Sequence, residues 1–90
     1  MNEIDILDVF YDELRIKGEN KDVLFLSVDE TFAAKLKLKI KEDVHLDDIH
    51  KLVDICIANE WIERTTADPH YKYLSLTEAG LQMAIMARYS

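Results

Sequence analysis

Ninety residues, 49% of them hydrophobic, set the scale of a single domain over 1–90, with enough apolar material for one core that needs no metal or disulfide staple. One cysteine, Cys56, excludes an internal disulfide, and the acidic opening lacks the basic-then-apolar order of a secretion signal, so a reducing, cytoplasmic location is expected. The formal net charge of −7 runs against a phosphate backbone as main ligand, and no apolar run nears the roughly 20 residues that cross a bilayer, so no membrane partner is expected.

Over residues 3–17, Ile4, Leu7, Phe10, Tyr11 and Leu14 recur at helical spacing with Asp5, Asp8 and Asp12 opposite, which predicts an amphipathic first helix. Asn2 is placed to cap it, the early acids suit the positive end of its dipole, and Gly18 is a natural stop. Val9 and Ile16 fall off the stripe and are candidates for exposure or for contact with a partner.

The polar run 19–22 reads as a turn, and Val23, Leu24, Phe25 and Leu26 as a short buried strand. Ser27 with Glu30 matches a capping box and opens a second helix, with Val28, Phe32, Leu36 and Ile40 on one face. Helix is favoured through at least Leu36. Beyond it the alternation of Lys35, Lys37, Lys39 and Lys41 with Leu or Ile fits a strand equally well, and the end of the element stays open. If helical, Lys35 and Lys39 form one row and Lys37 and Lys41 another; if extended, all four share a face. Either arrangement can meet phosphates, and the plainer reading is that the lysines keep an amphipathic element soluble and offset Glu42 and Asp43.

A third helix is predicted from about 43 or 46 to 59, with Leu46, Ile49, Val53, Cys56 and Ile57 inward, Leu52 at the margin, and Asp47, Asp48, Lys51 and Asp54 outward. Residues 61–66 and 71–76, rich in Thr and aromatics, flank a turn in which Pro69 presets φ, and read as a β-hairpin. Thr77 caps a last helix whose Leu81, Ala84, Ile85 and Tyr89 face the core while Met83 and Met86 lie off it. The fold class is α+β, mainly α: helix, short strand, helix, helix, hairpin, helix.

No acid, base and nucleophile gather by spacing, so no catalytic residue is assigned and an enzyme is not expected. His45 and His50, five apart, are rotated by roughly 140° from one another on a helix and do not form a metal pair. Cys56 lies in an apolar stripe and reads as a small hydrophobe. Gly18 and Gly80 make no phosphate-cradling loop, and Asp43, Asp47 and Asp48 lack the glycine turn and closing glutamate of a calcium loop. Neither cofactor nor metal is expected.

The run Leu52, Cys56, Trp61, Ile62, Arg64, followed by Tyr73, Leu74, Leu76, Thr77, Glu78, Ala79 and Gly80, resembles the winged helix-turn-helix domains of MarR-like and PadR-like bacterial and phage regulators. The resemblance spans most of the chain in element order and about a dozen residues in identity. It implies a transcriptional regulator that places the helix beginning near Leu46 in the major groove of double-stranded DNA, with the hairpin on the flanking backbone. The contacts it implies are Lys35, Lys37, Lys39, Lys41, His45, Lys51, Arg64, His70 and Lys72. The family usually has glycine just before the Trp-Ile pair; here Glu60 follows Asn59, and Asn59 is expected to take the left-handed turn. Asp47, Asp48 and Asp54 on the recognition helix oppose phosphate binding, which sets against DNA a second reading: an acidic winged-helix module that engages a basic protein partner or mimics nucleic acid. Val9, Ile16, Met83, Met86 and Tyr89 are the expected contacts of a homodimer built on the first and last helices.

Overall fold

The computed structural model describes residues 1–18, 24–67 and 70–89. Four helices and a two-stranded antiparallel sheet follow in the order α1 (Glu3–Lys17), α2 (Glu30–Ile40), α3 (Leu46–Ala58), β1 (Ile62–Arg64), β2 (Leu74–Leu76) and α4 (Glu78–Tyr89), an α+β fold that is mainly α. Among the described residues no helix is long and apolar enough to cross a membrane.

Helix α1 starts where Asn2 and Asp5 each accept the other's backbone N–H, at 3.2 and 2.9 Å, and ends at Gly18, whose φ of 63° lets its N–H turn back to Leu14 O. Its apolar arc is wider than one stripe because α2, α3 and α4 all pack against it. Val9, expected off the core, is therefore 3% exposed and belongs to the core beside Ile6, Leu7 and Phe10, whereas Ile16, beyond the reach of the neighbouring helices, is 77% exposed.

Helix α2 begins two residues later than the expected capping box. Leu26 pairs with Leu74 and the Val28 N–H donates to Tyr71 O at 2.7 Å, which holds the chain extended through Val28. Asp29 is the cap instead, accepting from Thr31 N and Phe32 N, and the Ser27 hydroxyl accepts from Tyr73 N at 3.3 Å. The lysine-alternating stretch is helical to Ile40. Phe32, Ala33 and Leu36 are buried, Leu38 stands out at 80% exposure, and Lys41 caps the end in the left-handed region. Of the expected strand before α2, Val23 lies outside the described residues, Leu24 is buried, and Leu26 makes a lone bridge.

Helix α3 turns Ile49, Val53 and Cys56 fully inward. It ends in a Schellman motif: Trp61 N donates to Cys56 O at 2.9 Å and Glu60 N to Ile57 O at 3.0 Å. The left-handed residue is Glu60, φ 61°, not Asn59, φ −86°, because the two return bonds fix the third position after the last fully bonded turn. The hairpin strands are shorter than the expected 61–66 and 71–76. Ile62, Glu63 and Arg64 pair with Leu76, Ser75 and Leu74, and the ladder stops where Tyr73 takes φ 55° and the Thr65 hydroxyl donates to Tyr73 O. Asp68 and Pro69 of the expected turn lie outside the described residues.

Thr77 accepts from Gly80 N at 3.0 Å and so caps α4. Gly80 sits against the Trp61 carbonyl, where a Cβ would lie 2.0 Å from the oxygen; only a residue without a side chain lets α4 start so close to the hairpin. Ala84 is buried, Leu81, Met83 and Ile85 are half-buried, and Tyr89, expected in the core, is exposed with Met86.

Candidate interaction surface

The hairpin is clasped to α3 by four side chains that are distant in sequence. The His50 ring stacks on Tyr71 with centroids 3.8 Å apart, and its Nε2 lies 2.8 Å from Val28 O. The Tyr71 hydroxyl reaches both carboxylate oxygens of Asp54 at 3.0 Å. The Arg64 guanidinium lies 5.3 Å from the Tyr71 centroid and 3.9 Å from Asp54 Oδ1, and donates to His70 O at 3.1 Å. Burial first, and then the hydrogen bond to Asp54, push the Tyr71 hydroxyl pKa upward, so it stays a donor. The outward side of α3 and the base of the hairpin thereby form one surface. A cavity of about 370 Å³ opens on it, lined by Leu46, His50, His70, Tyr71, Lys72 and Tyr73 with residues 27–29.

Lys35 and Lys39 turn away from that surface. Lys35 Nζ lies 2.6 Å from Glu13, which is itself only 8% exposed, and Lys39 Nζ lies 2.6 Å from Asp12 and 3.0 Å from Asp8. Arg88 of α4 joins the same two aspartates at 2.6 Å each, so α1, α2 and α4 share one ion-pair network. Partial burial raises the Asp12 pKa, but the hydrogen bonds from Lys39 and Arg88 outweigh it and hold the carboxyl below its ordinary value. Burial likewise lowers Lys39, and Asp12 and Asp8 more than offset it, leaving its pKa raised. Lys37 faces Asp43 at 3.5 Å.

Of the other expected contacts, Lys41, His45, Lys51, His70 and Lys72 are exposed, with Lys51 Nζ 4.0 Å from Asp48, and Arg64 is bound into the clasp. Six of the nine candidates thus fall in two regions: Lys35 and Lys39 on the α1 side, and Lys51, Arg64, His70 and Lys72 around α3 and the hairpin. Asp47 and Asp48 are exposed on the same face of α3 as Lys51, while Asp54 is engaged by Arg64 and Tyr71.

Cys56 is fully buried, and burial followed by the charge of Glu3 pushes its thiol up to about 12, so it is a protonated core group. Among the described residues no three His, Cys, Asp or Glu side chains are grouped to hold a metal ion. Sequence spacing weighed His50 only with His45, as a metal pair, and did not single out Tyr71, since the His50–Tyr71 contact spans a helix and a hairpin and leaves no local signal. Comparison of the chain with protein-family models, with curated proteins and with solved structures finds no match.

Proposed function

We propose that this chain is a small winged-helix module that docks a protein partner bearing basic groups on the surface made by α3 and the hairpin. The order of helix, bridged extended segment, helix, helix, hairpin and helix supports the winged-helix reading. The observation that carries the choice of partner is the pairing of Lys35 with Glu13 and of Lys39 with Asp8 and Asp12. Phosphate binding needs lysines whose charge is directed at the ligand, and these two are directed at helix α1. The outward face of α3 then offers Asp47 and Asp48, charges that attract a cationic protein surface and repel a duplex.

A second reading, a DNA-binding regulator, draws support from a different feature: Arg64 and Tyr71 engage Asp54, and Lys51, His70 and Lys72 surround the same surface. Charge reversal separates the two because its effects have opposite sign. With Asp47→Lys/Asp48→Lys, affinity for a partner co-purified from the native host, measured by calorimetry with both proteins pure, is expected to fall at least about tenfold. Unchanged affinity for that partner would contradict the proposal, and a duplex-DNA complex already present in the wild type and tightened by the reversal would favour the DNA reading instead. A second copy of the chain remains the partner proposed for the exposed apolar side chains Ile16, Met86 and Tyr89.

A further inference from the structure

Among the described residues, the segment before α2 presents an open sheet edge. Leu26 exchanges both backbone hydrogen bonds with Leu74, at 2.8 Å in each direction. In an antiparallel pair the N–H and C=O groups of its neighbours, Phe25 and Ser27, then point away from the sheet. Among the described residues no backbone group pairs with them on that side. Phe25 leaves 47% of its surface exposed beside this edge. A cavity of about 210 Å³ adjoins it, with Val9 of α1 and Phe32 of α2 as apolar lining and the Glu13–Lys35 ion pair in its wall.

We infer that this edge accepts an extended peptide from a partner protein as an added strand, with one aliphatic side chain in the Val9–Phe32 cavity and a Lys or Arg two residues along set against Asp29 and Glu30. Strand addition draws affinity from main-chain hydrogen bonds and specificity from pockets that receive alternate side chains. The edge supplies both parts. The Glu13 carboxylate meets Lys35 at 2.6 Å, so an aliphatic group entering the cavity faces a neutralised pair and not a bare charge. Charge selects the occupant: Asp29 and Glu30 are exposed at the end of the edge, where a cationic side chain of the peptide is attracted. This edge adjoins the cavity on the α3–hairpin surface through Ser27 and Asp29, whereas Val9, Phe25 and Phe32 line only the cavity beside the edge.

The test is selection of a random octapeptide library against the full chain, then titration of the best synthetic peptide with backbone amide exchange as readout. The expected consensus is an aliphatic residue followed two positions later by Lys or Arg. Bound peptide is expected to slow exchange at Phe25 and Ser27 at least about tenfold, and Glu30→Lys to weaken binding severalfold. N-methylation of the alternate peptide amides that face the edge is expected to weaken binding at least about tenfold, with methylation of the intervening amides nearly neutral. Phe25→Pro removes one outward N–H and is expected to abolish binding; the N-methyl series decides on wild-type protein should that variant fail to fold. The inference is overturned by a selection that enriches nothing, by peptides that protect α3 in place of the edge, or by affinity indifferent to which amides are methylated.

Discussion

Glu60 holds a backbone conformation that costs an ordinary L-residue about 1 kcal/mol, and it does so at the one position where two return hydrogen bonds close α3. Glu60→Gly is therefore expected to stabilise the fold by about 0.5–1 kcal/mol, read as a higher urea midpoint at unchanged m-value. Gly80 is the opposite case: an added methyl meets the Trp61 carbonyl, which cannot move without breaking its bond from Thr77 N. Gly80→Ala is expected to cost roughly 2–4 kcal/mol, and a variant of wild-type stability would show that the α4 start adapts. Cys56, with its thiol pushed up to about 12, is expected to resist alkylation at neutral pH until the chain unfolds, so its labelling rate follows global opening. The sequence displayed both glycines and the missing third one, but not which residue absorbs the turn. Asn59 is the better left-handed residue by intrinsic preference, and tertiary closure through Trp61 and Thr77 assigns the conformation to Glu60.

At the scale of elements, the network of Asp8, Asp12, Lys39 and Arg88 fastens the end of α4 to α1 and α2. Because Asp12 has a folded pKa below its unfolded value of about 3.9, the stability it contributes is fully present above that pH and is lost as pH falls through the folded value. Lys39 has a raised folded pKa, so its share is fully present below about 10.4 and is lost as pH rises through the folded value. Asp12→Asn is expected to lower the neutral plateau by about 1 kcal/mol and to flatten the acid limb in urea titrations below pH 4. An unaltered limb would assign acid sensitivity to other carboxylates. Tyr71→Phe removes the hydroxyl from Asp54 and is expected to cost about 1 kcal/mol and to speed amide exchange in the hairpin before the helices. The periodicity of α1 and α3 and the caps at Asn2, Gly18 and Thr77 were legible in the sequence because they are local. The start of α2 was not: Ser27 and Glu30 satisfy the local rule, and the pairing of residues 26 and 28 with the hairpin, more than forty positions away, overrides it.

For the whole molecule, the net charge of −7 posed the question and the distribution of partners gives it a direction. In the sequence the lysine run reads either as a phosphate-binding strip or, more plainly, as a solubilising face offset by Glu42 and Asp43, and neither reading names Glu13, Asp8 or Asp12 as its partners. The nearest of those acids lie 22 residues upstream for Lys35 and 27 for Lys39, a separation at which composition carries no pairing information. The order of elements could be read from hydrophobic period and turn residues, whereas the candidate surface depends on contacts between α3 and the hairpin that only folding creates. The most direct test is fluorescence anisotropy of a labelled duplex titrated with the wild-type chain at about 50 mM salt, where nonspecific complexes form readily. A protein-docking α3 surface is expected to give no saturable signal up to tens of micromolar protein. A micromolar complex that weakens steeply with added salt would contradict it and return the chain to the DNA-binding class.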